Sequence, residues 1–152
     1  MSSEARLREE IVKHGKSLFD RGLTSGSTGN ISVRTEAGWL MTPTGSSLGD
    51  LDPARLSKLD TDGHLVAGDP PTKEAFLHRA IYSERPKARD HRAVLLANHG
   101  PVVAGADLSS AVDATEELEA TAKLYLLLHG RKTRTLACED VTELTRRFPP
   151  NG

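Results

Sequence analysis

Over the first twenty positions Leu7, Ile11 and Leu18 fall on one stripe with charges opposite, and Gly22 stands where such a helix would end. The spacing predicts an amphipathic helix over residues 4–19. Two short apolar runs follow, Ile31-Ser-Val-Arg34 and Trp39-Leu-Met-Thr42, joined by Thr35-Glu-Ala-Gly38, a pattern that predicts a β-hairpin turning at Gly38. Asp52 and Pro53 read as an N-cap and first-turn pair opening a short helix through Leu59, after which Asp62-Gly63 turns the chain into a brief strand at Leu65-Val66. Thr72 is the expected N-cap of the next helix, with Phe76, Leu77, Ala80 and Ile81 as its buried side and an end before Pro86. The runs 92–97 and 101–104 predict a second hairpin around Asn98-His-Gly100. Asp107 then caps a long helix in which Ala111, Thr115, Leu118, Ala122 and Tyr125 recur at helical spacing, closed by Gly130, and a last helix spans about 140–147. Strands mixed with helices, paired locally and antiparallel, predict an α/β domain with a largely antiparallel sheet covered by helices, and not a doubly wound fold.

Topology carries the first functional implication. The two strands of the first hairpin run antiparallel, so their outer ends, Ser27-Thr-Gly-Asn30 and Thr42-Pro-Thr-Gly-Ser-Ser47, must lie side by side. Both are rich in hydroxyls and backbone N–H groups, as is the helix start Pro71-Thr-Lys-Glu74. Such segments hold a phosphate without any run of basic charge. Each alone reads equally well as an ordinary turn or cap; three within fifty residues point to one shared anion site.

Composition narrows the partner. Twenty basic against twenty-one acidic residues leave a net charge of −1 on 152 residues, which provides no field for gathering nucleic acid or anionic lipid. The chain length suits a single domain, and a small molecule is the expected ligand. The polar N-terminus has neither the apolar core of a leader nor a membrane span, so the cytoplasm is the expected compartment. Cys138 is the sole cysteine and is expected to be structural. No glycine-rich nucleotide-binding segment is present.

Glu74 falls near a helix start, where a carboxylate is favoured by the dipole and could serve as a cap, a general acid/base or a metal ligand. Lys73 is electrostatically out of place there, as expected of a charge kept to meet an anion. His99 occupies a hairpin tip, and His78 lies four residues after Glu74 on the same helix face. A Glu74/His78/His99 site for a divalent cation is one arrangement these positions allow.

The segments Gly26-Ser-Thr-Gly-Asn-Ile-Ser-Val-Arg34, 41–58, 68–74 with Leu77-His78, and Leu95-Leu-Ala-Asn-His-Gly-Pro-Val-Val103 together resemble the class II aldolase/adducin family. The long second segment, Thr72-Lys-Glu74 and the Glu116–Lys123 stretch are most similar to its branch of 3-oxo-tetronate 4-phosphate decarboxylases. The resemblance implies a three-layer αβα fold with a central, mainly antiparallel sheet, and a ring-like homotetramer. It implies a substrate phosphate pocket of Ser27, Gly29, Asn30, Thr44, Gly45, Thr72 and Lys73, with Glu74 as acid/base residue. It also implies that His99 is one of three histidines holding a divalent metal, usually Zn²⁺, with Glu74 beside it and His78 structural. The implied substrate is a phosphorylated sugar or sugar acid. A sugar-phosphate aldolase acting like the fuculose-phosphate enzymes, or a non-catalytic adducin-like binding module, are the alternatives. In the aldolase branch the position of Lys73 is typically a small hydroxyl residue, so a lysine there favours an acidic substrate.

One departure stands out. The family's other two metal ligands come from a His-x-His pair, and this sequence contains none. The whole chain is expected to be one domain of the family that lacks an internal segment between Arg89 and Asp90, either because the natural protein carries residues absent from this sequence or because the deletion is real.

Overall fold

The computed structural model describes residues 3–84 and 93–149. The expected junction between Arg89 and Asp90 lies outside the described residues, as does His91. Helix α1 (Ser3–Asp20) leads into a four-stranded antiparallel sheet formed in chain order by β1 (Ser32–Thr35), β2 (Gly38–Met41), β3 (Ser57–Leu59) and β4 (Leu65–Ala67). Helix α2 (Ala75–Glu84) follows, then a separate two-stranded antiparallel sheet of β5 (Ala93–Leu96) and β6 (Gly100–Val103), and helices α3 (Leu108–Leu128) and α4 (Cys138–Arg147).

Strand β2 sets the layers. Its side chains alternate between faces, and all four of its residues are buried. Leu40 points to one side, joining Ile11 and Leu18 of α1, Leu108 and Val112 of α3, and Ile31, Leu48 and Leu56 in one cluster. Trp39 and Met41 point to the other and pack with Leu59 against Ala75 and Tyr82 of α2. Helices therefore cover both faces of an antiparallel sheet, the expected αβα arrangement. Each of these fully buried large side chains contributes roughly 1.5–3 kcal/mol. Arg8 ties α1 to the loop before β3, donating to the carbonyl oxygens of Pro53 at 2.8 Å and Leu56 at 3.2 Å, while Lys58 reaches Glu4 at 2.7 Å.

Three local expectations are corrected. Residues 57–59 form a strand and not the end of a helix, because they pair with β2 on one side and β4 on the other, while the Asp52 side chain only caps a turn by accepting from the Ala54 N–H. The inward side of α2 carries Ala75, His78 and Tyr82; Phe76 is 73% exposed and Ala80 is also exposed. The stripe was hard to see because a histidine and a tyrosine replace aliphatic residues on it. Of the residues predicted to recur along α3, Ala111, Thr115 and Leu118 are half-buried while Ala122 and Tyr125 are exposed; the fully buried positions are Leu108 and Val112, and from Glu119 onward every residue of the helix is exposed. Asp107 caps α3 as expected, accepting from the Ser110 N–H at 2.8 Å. Cys138 is exposed at the start of α4 and so packs no core.

Candidate active site

The first hairpin turns through Glu36 and Ala37, with Thr35 opposite Gly38 and Ser32 opposite Met41. Its open end is locked by two bonds, Thr42 N–H to the Ile31 carbonyl at 3.0 Å and Ile31 N–H to the Thr42 hydroxyl at 3.1 Å. The third segment joins them there: Pro43 bridges to Pro71, and the Thr44 N–H donates to the Pro70 carbonyl at 2.9 Å. Asn30 then reaches across to Glu74, its Nδ2 donating to Oε2 at 2.5 Å. The three segments singled out in the sequence therefore meet at one end of the sheet.

Around this meeting point Ser27, Gly29, Thr44, Gly45 and Lys73 are exposed, and Asn30, Thr72 and Glu74 are half-buried. Among the described residues the N–H groups of Gly29, Gly45 and Lys73 have no hydrogen-bond partner. Glu74, and not Thr72, occupies the cap position of α2: the His78 N–H donates to the Glu74 carbonyl at 3.2 Å, while Thr72 accepts from the Ala75 N–H one turn earlier. The Glu74 carboxylate is thereby placed at the positive end of the helix dipole.

His99 comes from the other sheet. Its loop, Ala97-Asn98-His99, links β5 to β6, with Leu96 opposite Gly100, and Asn98 adopts a φ of 57°. The His99 Nε2 lies 3.4 Å from Glu74 Oε2, with the two side chains 40% and 33% exposed. His78 does not join them as a third ligand. Its Nδ1 meets the Ser32 hydroxyl at 2.7 Å, and its Nε2 meets Asn30 Oδ1, so both ring nitrogens are occupied. Burial of the ring pushes its pKa below the ordinary histidine value, partly countered by the Glu74 charge. The pairing of positions 74 and 78 was visible in the sequence; the roles of Ser32 and Tyr82, which hydrogen-bond at 2.6 Å, were not. Spacing held the clue, since Asn30 and Ser32 alternate onto one side of the chain entering β1, while Glu74, His78 and Tyr82 recur every four residues.

His99 and Glu74 offer one imidazole and one carboxylate at 3.4 Å, but the described residues add no further His, Cys, Asp or Glu to them. The pair is an incomplete site. The one group of three close ligand atoms among the described residues, Asp60, Asp62 and His64, lies in the β3–β4 turn. The register of β2 with β3 puts that turn at the opposite end of the sheet from Thr42. There the Asp60 carboxylate caps the turn, held below its usual pKa by the His64 backbone N–H.

Residues 9–90 and 87–126 match the family model described as class II aldolase and adducin N-terminal domain. The chain belongs to the class II aldolase/adducin family. It is 36% identical to the 3-oxo-tetronate 4-phosphate decarboxylase of Pectobacterium atrosepticum, over 95% of this chain and 95% of that protein. The corresponding protein of Escherichia coli K12 is 34% identical over 93% of this chain and 96% of the relative. More distant is the L-fuculose phosphate aldolase of Methanocaldococcus jannaschii, 28% identical over 79% of this chain and 96% of the aldolase. Among solved structures, YgbL from Escherichia coli superposes with a TM-score of 0.86 at 33% identity, covering 93% of this chain and 98% of that one. The decarboxylases and aldolases among these class II relatives are lyases that break carbon–carbon bonds. Class II aldolases depend on a divalent metal. Among the described residues of this member, no helix is long and apolar enough to cross a membrane.

Proposed function

We propose that this chain is a lyase that decarboxylates a phosphorylated 3-oxo sugar acid, a 3-oxo-tetronate 4-phosphate. The observation that carries the reading is the convergence of the three hydroxyl- and N–H-bearing loops on Glu74. Full-length similarity to decarboxylases bearing that name supports the branch. In this reading Ser27, Gly29, Asn30, Thr44, Gly45, Thr72 and Lys73 receive the phosphate. Their unpartnered N–H groups and hydroxyls surround an anion without desolvating a buried charge of their own. The Lys73 ammonium can instead meet the substrate carboxylate.

Loss of CO₂ breaks the bond between the carboxylate carbon and its neighbour and leaves the electron pair on the enolate formed with the adjacent carbonyl. Glu74, in its protonated form, then delivers a proton to that carbon. Asn30 fixes the position of the carboxylate. A divalent cation, zinc by family resemblance, belongs to this reading, and His99 with Glu74 are the two donors this chain contributes. They do not complete a site, so no step is assigned to the metal. A homotetramer and a cytoplasmic location are part of the same proposal.

We further propose that the chain lacks, between Arg89 and Asp90, a segment that its relatives possess. The alignment with the Pectobacterium decarboxylase runs over 207 positions against a chain of 152 residues, and the two stretches matched by the family model meet at residues 87–90. The missing His-x-His pair also favours a second reading, a non-catalytic module that binds a sugar phosphate.

The deciding experiment measures CO₂ release from a 3-oxo-tetronate 4-phosphate with and without added Zn²⁺. Metal-dependent release is expected. Cleavage of a ketose phosphate without CO₂ would move the chain to the aldolases, and phosphate binding with neither reaction would establish the binding module.

A further inference from the structure

Five side chains, from β1, α2 and the residues leading into each, form one continuous hydrogen-bonded line ending on Glu74: Tyr82, Ser32, His78, Asn30, Glu74. Donor and acceptor chemistry allows it only one direction while Glu74 is ionised. The carboxylate can only accept, so Asn30 must turn its NH₂ toward Glu74 and its carbonyl oxygen toward His78. That oxygen can only accept, so His78 must carry its proton on Nε2. In the neutral ring Nδ1 is then an acceptor, filled by the Ser32 hydroxyl, and Ser32 in turn accepts from the Tyr82 hydroxyl.

We propose that His78 is a positioning residue which, through Asn30, fixes the orientation of the Glu74 carboxyl group. This rests on the reading of Glu74 as the acid/base group. A purely structural histidine would need only to fill space between β1 and α2. The polarity of the line demands more: a proton on Nε2, and an Asn30 amide that cannot flip without placing its oxygen against the carboxylate. Burial of the ring, which disfavours its charged form, agrees with the neutral state. Protonating His78 would reverse only the outer half of the line, with Nδ1–H donating to Ser32 and Ser32 to Tyr82, and would leave the Nε2–H bond to Asn30 in place.

Two substitutions separate the two halves of the ring. In His78→Gln the amide can donate from near the Nε2 position to Asn30, whereas in His78→Asn it reaches only the Nδ1 position beside Ser32. Loss of a hydrogen bond to the partner of a charged group is expected to lower kcat about 10- to 100-fold in His78→Asn at little change in KM, with His78→Gln restoring most of it. The full chain labelled with ¹⁵N-histidine gives a second readout that needs no turnover. A long-range ¹H–¹⁵N spectrum at neutral pH should show His78 as the neutral Nε2–H tautomer, and the Asn30 side-chain amide signals should move in His78→Asn but not in His78→Gln. An Nδ1–H tautomer, or equal effects of both variants on the readouts, would overturn the proposal. If the chain releases no CO₂, the functional reading fails by itself, and the tautomer with the Asn30 signals decides this inference.

Discussion

Gly38 opens β2, the strand whose other end carries the proposed anion-binding loop at Thr42–Ser47, and Gly38→Ala is the sharpest test of how that strand packs against β3. Its φ is +139°, a conformation that side-chain-bearing residues rarely adopt, and a Cβ there would stand 2.0 Å from the Leu59 carbonyl oxygen and 2.7 Å from the Asp60 carbonyl carbon. Both atoms are backbone, so relief requires β2 and β3 to part where Trp39 faces Leu59. Overpacking of this kind costs about 1–3 kcal/mol and the backbone strain a similar amount, for a total of about 2–6 kcal/mol. In a chain of this size that corresponds to a fall in Tm of roughly 5–20 °C.

Gly45→Ala is the matched control. Gly45 also has a positive φ, +70°, but a Cβ there meets nothing within 4 Å, so only the backbone term remains, about 1 kcal/mol. Thermal melts of both variants and titration with inorganic phosphate separate fold from site. Gly38→Ala should lose stability heavily. Gly45→Ala should melt within a few degrees of the parent yet bind phosphate more weakly. A Gly38→Ala protein that melts like the parent would refute the β2–β3 register.

Glu74→Gln should lower turnover about 10²- to 10⁴-fold while leaving phosphate binding nearly intact, since the amide oxygen can still accept from Asn30; unchanged kcat would remove the acid/base role. His78 makes stability depend on pH. Its folded pKa is depressed, so between that value and the ordinary value near 6.5 the unfolded chain binds more protons, and stability is full above about 6.5 and declines as pH falls through that window. Urea melts at pH 7 and pH 5 should reveal this decline, and it should be smaller in His78→Gln. Lys73→Ser should raise KM for the acidic substrate more than it lowers kcat, and an unchanged KM would show that the ammonium meets neither carboxylate nor phosphate.

The meeting of the three loops was legible because it depends on chain order alone: a tight hairpin has adjacent ends, and Asn30 and Thr42 sit on them. The capping of α3 by Asp107 was legible for the same local reason. Residues 57–59 were misread because Asp52-Pro53 is a sound helix-start signal, yet Ser57 and Leu59 bury completely between two neighbouring strands, and that gain outweighs local preference. The inward face of α2 was misread because its stripe includes His78, whose value lies in a hydrogen-bonded line that no hydropathy pattern records. Ser32 and Tyr82 are fifty positions apart, and only the packing of α2 across β1 brings them within 2.6 Å.

The exposed apolar surface bears on the proposed missing segment. Val94 and Leu95 of β5 are 56% and 80% exposed, and Leu124, Tyr125 and Leu126 of α3 are more than half exposed. Covering five such side chains would contribute on the order of 10 kcal/mol, as much as the whole net stability of an ordinary domain. Among the described residues β5 and β6 pair only with each other, and a lone hairpin is marginal in water, yet this hairpin carries His99 to Glu74. The proposed segment between Arg89 and Asp90 would supply both the cover for that surface and the absent metal ligands at once. The intact mass of the protein purified from its native cell should then exceed 16.4 kDa by several kDa, and the shorter chain should bind a hydrophobic dye. A mass of 16.4 kDa together with a cooperative, dye-free melt would refute the missing segment and favour the non-catalytic binding module, since two donors do not complete a metal site.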